Sequence, residues 1–155
     1  MTFIALEQII GGMLPSFQII PIPAFNDNYI WLIHNGSQAI IVDPGDAAPV
    51  LETLNQLGLK LTTILITHHH NDHIDGVSNL LETFTDATVY APKLEQFAFK
   101  HQSVSEADMI ELADFEIKLT VIDVPGHTFG HVAYYIESTY QLHDQTSHGN
   151  ILFLD

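Results

Sequence analysis

The sequence predicts an α/β sandwich. Strand–turn–strand units fill the first part of the chain, and strands then alternate with amphipathic helical patterns, which excludes a pure sheet or a helix bundle. Hydrophobic residues make up 46% of the 155, enough for a packed core and against disorder. This length suits one domain and is short for two.

The elements follow in chain order. Residues 1–12 read as an extension ending at Gly11-Gly12, and the domain proper runs from Met13 to Asp155. Residues 17–22 form a first strand whose prolines favour an edge position. Asn26-Asp27-Asn28 is a turn into a second strand at 29–33, and Asn35-Gly36 is a hairpin signal into a third at 39–42. Asp46 caps a helix that runs to Gly58, with Val50, Leu51, Leu54 and Leu57 on one face. The continuous apolar run 63–66 suits a strand buried on both faces. After His73, the spacing of Ile74, Val77, Leu80, Leu81 and Phe84 predicts a helix. A short strand at 89–90, a helix over 94–101 and a strand over 115–124 come next. Strands at 132–136 and 151–154 flank a polar surface loop at 137–150.

Charge and composition exclude several functions. Nineteen acids stand against four lysines (Lys60, Lys93, Lys100 and Lys118) and no arginine, for a formal charge of −15. Such a surface repels phosphate backbones, so nucleic acid is not an expected partner. No apolar stretch approaches the ~18 residues that span a membrane, and Glu7 stands where a signal peptide carries a cation, so a cytoplasmic protein is expected. Cysteine is absent, which removes disulfides, thiolate ligands and a cysteine nucleophile. Any metal is held by nitrogen and oxygen.

Ten histidines supply the nitrogen, and four of them crowd into Thr67-His68-His69-His70-Asn71-Asp72-His73. The pattern His-x-His-x-Asp-His is too dense in ligands for one ion and points to two side by side. His68 and His70, two residues apart on an extended segment, face the same way and can chelate one ion. Asp72 and His73 are adjacent and need a tight turn or helix start to reach a second. The run leaves the C-terminal end of an apolar strand, where open α/β sheets place their sites. A solvated polyhistidine loop is the alternative, against which the internal position between strand and helix argues. Downstream, His127 lies in the Gly-flanked turn Pro125-Gly126-His127-Thr128, where it can add a third nitrogen to the first ion. Alone, that turn would suit a hydrogen-bonded histidine equally well. His131 is expected to support the fold or its neighbours rather than an ion.

With Asp43 after an apolar strand, these motifs resemble the metallo-β-lactamase superfamily. Ile22-Pro23-Ala24-Phe25-Asn26-Asp27-Asn28-Tyr29-Ile30-Trp31 and Val42-Asp43-Pro44-Gly45-Asp46 resemble its glyoxalase II (hydroxyacylglutathione hydrolase) family in particular. The resemblance implies a metallo-β-lactamase-like αββα sandwich with two divalent ions between the sheets. Zinc is the first expectation, with iron or manganese as alternatives. His68, His70 and His127 would bind one ion, and Asp72 and His73 the other. Asp43 would hold the site in shape, and Asp155 would bridge the ions although Leu154 stands where the family has glycine. The implied reaction is hydrolysis of S-D-lactoylglutathione to glutathione and D-lactate, with Asp72 orienting the attacking hydroxide. The family takes its last histidine ligand and its C-terminal helical domain from sequence beyond Asp155, so the sandwich is expected to be incomplete, the second ion weakly held and activity reduced. Uncovered sheet surface would then favour homo-oligomers. Two alternatives are another hydrolase of the superfamily and a non-catalytic metal-binding fragment that self-associates.

Overall fold

Apolar alternation over the first segment produces a three-stranded meander of β1 (Gln18–Ala24), β2 (Asn28–His34) and β3 (Gln38–Val42). The computed structural model describes residues 17–142 and 145–154, the side chains of 137–150 excepted. The expected extension at 1–12, Met13 and Asp155 lie outside those residues. At the β2–β3 hairpin the Asn35 side chain accepts from the backbone of Ser37 and Gln38, while Gly36 takes φ 89°.

Helix α1 (Ala47–Leu57) begins where expected, with the Asp46 carboxylate accepting from Ala48 N at 3.0 Å. It ends at Gly58 in the left-handed conformation. The chain then enters β4 (Lys60–Leu65), parallel to β3. After the histidine run come α2 (Asn71–Ile74) and α3 (Val77–Thr83), two helices where one was expected. They break at Gly76, whose N–H reaches Pro44 O at 2.9 Å; a Cβ there would stand 2.6 Å from that same oxygen. Close approach of the two loops thus overrides the helical spacing.

β5 (Thr88–Pro92) and β6 (Gln102–Val104) complete a six-stranded sheet in the order β1-β2-β3-β4-β5-β6. A second sheet in the order β10-β9-β8-β7 contains β7 (Met109–Leu112), β8 (Ile117–Asp123), β9 (Val132–Leu142) and β10 (Gln145–Phe153). Alternate residues of the first sheet supply two cores. Leu32, Ile41, Ile64 and Ile66 pack with Val50, Leu54, Val77 and Leu80 of the helices. Ile33, Ile40, Val42 and Leu65 pack against Leu119, Val121, Tyr134 and Ile136 of the second sheet. The layers are therefore helix, sheet, sheet. Among the described residues no α-helix covers the outer face of the second sheet.

Three expectations are corrected. Residues 94–101 form turns and bends, not a helix. Phe97, Phe99 and His101 cluster at ring-centroid distances of 5.2–5.9 Å, and Leu94 is exposed, a spacing that helical geometry does not produce. The strand expected from residue 115 begins at Ile117, because Ala113–Phe115 forms a 3-10 turn and Glu116 takes φ 55°. The polar segment 137–150 is not a loop but most of the β9–β10 hairpin, paired from Gln145↔Leu142 to Phe153↔Tyr134. Backbone pairing needs no apolar face, so polarity concealed these strands. No helix among the described residues is long and apolar enough to cross a membrane.

Candidate metal centre

The two sheets each deliver one loop to the same end of the sandwich. β4 leads into Thr67–His73 and β8 into the turn that carries His127 and His131. Backbone and side chain join the loops across the seam: Val132 N donates to Thr67 O at 3.0 Å, and the buried Tyr134 Oη donates to Ile66 O at 2.7 Å. Gly45 packs against the start of α2, where a Cβ would stand 1.8 Å from Asp72 O.

His68, His70 and His127 converge. Their ring centroids are 4.8, 5.0 and 4.6 Å apart with interplanar angles of 75–80°, and one ring nitrogen from each lies within 4.8 Å of the others. Three imidazoles turned edge to face about one point can hold a cation. His69, between two of them, points elsewhere and is half exposed. His131 is buried, with its ring 4.7 Å from that of His68.

Beneath the trio, Asp43 takes φ 51° and is buried. Left-handed backbone is tolerated by Asp and clusters at functional sites. Its Oδ1 accepts from Thr67 N at 2.8 Å, and its Oδ2 from Thr67 Oγ1 at 2.6 Å. With the Thr67 proton committed to Asp43, Thr67 Oγ1 accepts from His68 Nδ1 at 2.9 Å. His73 Nδ1 lies 3.2 Å from the same Oδ2. In this network both histidines carry their proton on Nδ1 and keep an Nε2 lone pair, an assignment that follows from the donors available. Asp43, His68 and His73 also lie close enough to be read as a ligand trio. The hydrogen bonds already fill both acceptor sites of Oδ2, which leaves that oxygen to orient the two rings.

Asp72 is exposed, and its Oδ2 lies 3.4 Å from His73 Nε2. The adjacent pair therefore presents one oxygen and one nitrogen to the same point, made possible by the start of α2. An open cleft of about 340 Å³ beside it is lined by Tyr29, Trp31, Asp43, His73, Phe153 and Leu154. Leu154 precedes Asp155, whose own position lies outside the described residues. Burial, reinforced by the neighbouring His73, His131, His70 and His127, lowers the His68 pKa to about 3. His68 is then neutral at physiological pH. Burial, together with the Asp43 charge, raises the Tyr134 hydroxyl well above its ordinary value and outweighs the opposing bond to Ile66 O. Tyr134 and Thr67 were given no role from sequence; both act through contacts that spacing does not encode.

A family model of the Metallo-beta-lactamase superfamily matches residues 24–139, three quarters of the chain. The chain belongs to that superfamily. Two curated relatives are each named hydroxyacylglutathione hydrolase. One, from Methylobacillus flagellatus, is 56% identical over 119 residues, 77% of this chain and 47% of that protein. The other, from Aeromonas hydrophila, is 51% identical over 120 residues, 77% and 46% respectively. The chain thus spans less than half the length of these relatives. Among solved structures, BJP-1, a subclass B3 metallo-beta-lactamase of Bradyrhizobium japonicum, superposes with a TM-score of 0.68 at 21% identity, over 94% of this chain and 62% of that one. At that identity the likeness concerns the fold.

For this metallo-beta-lactamase domain the donor chemistry fits a divalent metal site. The convergent groups are imidazoles and carboxylates, the ligands that zinc, iron and manganese accept without thiolate. The rings that Asp43 and Thr67 hold are in the tautomer that leaves a lone pair for an ion.

Proposed function

We propose that the chain carries the first part of a glyoxalase II active site, which hydrolyses a small glutathione thioester, S-D-lactoylglutathione, to glutathione and D-lactate in the cytoplasm. The observation that carries this reading is the convergence of His68, His70 and His127 from loops of two different sheets. Relatives named hydroxyacylglutathione hydrolase at 56% and 51% identity support it. In this reading His68, His70 and His127 hold one divalent ion, zinc before iron or manganese. Asp72 and His73 would hold a second, and Asp155 would supply the carboxylate shared by both.

When bound, the ions supply a water deprotonated at neutral pH and a Lewis acid for the thioester carbonyl. The chain's own residues do the remainder. Asp43 and Thr67 fix the His68 and His73 tautomers, and the neutral His68 offers a lone pair without first losing a proton. Asp72, exposed beside His73 Nε2, accepts a hydrogen bond from the attacking water and aims it. No side-chain nucleophile is required, in keeping with a cysteine-free chain. The test is thioester hydrolysis with metal counted per chain, for the parent and for His70→Ala. The variant is expected to lose metal and turnover together; full metal content in His70→Ala would count against the ligand assignment.

A further inference from the structure

Glu95 lies outside every motif, in the segment expected to be helical, and its carboxyl side chain is only 4% exposed. A buried carboxylate is costly unless it is paired. Here it has two polar neighbours, one from each loop of the metal centre. Thr128 Oγ1 donates to Glu95 Oε1. Glu95 Oε2 stands 2.9 Å from His69 Nδ1. Thr128 directly follows His127, while His69 sits between His68 and His70. One carboxylate therefore touches the backbone neighbours of all three converging histidines across the seam between the sheets, through a hydrogen bond from Thr128 and a 2.9 Å contact with His69 that lacks hydrogen-bond geometry.

The packing leaves little freedom for this arrangement to drift. A Cβ at Gly130 would stand 2.5 Å from Glu95 Cγ and 3.0 Å from Leu94 Cβ, so the 94–95 segment lies directly against the turn that follows His127. The exposed Leu94 and inward Glu95 also explain why a helix does not form here: the turn reverses the expected burial to bring the acid to the seam.

We propose that Glu95 is a positioning residue for the first ion, clasping the His69 and Thr128 loops so that His68, His70 and His127 meet at ligand distance before an ion arrives. The role rests on the metal reading of the site. It acts through His69 and Thr128, and Glu95 itself binds nothing. Loss of the clasp lets the two loops separate, which lowers affinity and changes coordination geometry without removing a ligand.

The experiment compares the full chain with Glu95→Ala, Glu95→Gln and Thr128→Val, each loaded with cobalt(II). Three readings are taken: cobalt affinity by chelator competition, the visible absorption spectrum, and the melting temperature of the metal-free protein. Glu95→Ala is expected to bind about tenfold more weakly, the lower end of the loss seen when groups supporting ligands are removed, with a shifted spectrum. Glu95→Gln keeps an acceptor for Thr128 and is expected to stay within about threefold of the parent with an unshifted spectrum. Thr128→Val opens the clasp from its other end without touching the buried carboxyl group, and its spectrum is expected to shift as in Glu95→Ala; it serves where Glu95→Ala does not fold. Parental affinity and spectrum in both Glu95→Ala and Thr128→Val overturn the inference while leaving the metal reading intact. Affinity losses that follow only the metal-free melting temperature, with no spectral shift, overturn it as well. A parent chain that binds no cobalt overturns the metal reading itself.

Discussion

Replacing Asp43 by Asn tests the whole logic of the centre, because one carboxylate sets the proton position on two rings. Asp43 accepts from Thr67 N, Thr67 Oγ1 and His73 Nδ1 at 2.8, 2.6 and 3.2 Å. Asn keeps the first bond through its carbonyl oxygen. On the other side it presents an NH2 group, so Thr67 Oγ1 and His73 Nδ1 now face a donor. Thr67 turns its proton toward His68 Nδ1, and both histidines move their own proton to Nε2, where the lone pair was. Restoring the metal-binding tautomer then leaves buried donors facing one another, at about 1–3 kcal/mol for each ring. That corresponds to roughly 5–150-fold in metal affinity at each ring. The fold is expected to suffer less, by about 2 kcal/mol or under, since neutral hydrogen bonds replace charged ones and a buried charge is removed. Chelator competition with metal counting measures the first quantity, and urea unfolding of the metal-free protein the second. Parental affinity and metal content in Asp43→Asn would refute the tautomer argument. A collapse in stability with metal binding intact in the folded fraction would do the same.

Two further outcomes follow from the same geometry. Tyr134→Phe removes the donor to Ile66 O, and the metal-free protein is expected to lose about 1–2 kcal/mol in urea unfolding; an unchanged midpoint would mean the hydroxyl is not a tie between the sheets. His68 has a folded pKa of about 3 against an ordinary 6.5, so between those values the unfolded chain binds the extra proton and the native protein does not. The His68 contribution is therefore fully present above pH 6.5 and is lost as pH falls from 6.5 toward 3. Metal-free His68→Gln should show a flatter stability profile across that window, and an equally steep one would discount the effect.

What the sequence disclosed depended on whether a role was written locally. The histidine run is contiguous, so its ligands could be read as types and spacing, and the Asp46 and Gly58 caps of α1 were visible for the same reason. The β9–β10 hairpin was hidden because its ladder is made of backbone groups, while its polar residues show no apolar alternation. Glu95 was hidden by its company: the apolar residues of 94–101 suggested a helix face, whereas the chain turns and buries the acid between two distant loops. Asp43 could be placed near the site by resemblance, but its left-handed backbone and its hold on both Thr67 and His73 are tertiary facts. His127 was open to two readings as an isolated turn histidine and gained meaning when its ring stood 4.6 Å from that of His70.

The crossing of the seam by the histidine trio has a thermodynamic consequence. His68 and His70 hang from the first sheet and His127 from the second, so an ion held by all three is a cross-link between the two halves of the sandwich. Such an ion binds the folded chain and has no comparable site in the unfolded one. Its free concentration then becomes a variable of stability: at a thousand times the dissociation constant it would add about 4 kcal/mol to folding. The melting temperature of this protein would be a property of its buffer as much as of its sequence. Chelation would first loosen the joint where the two sheets meet.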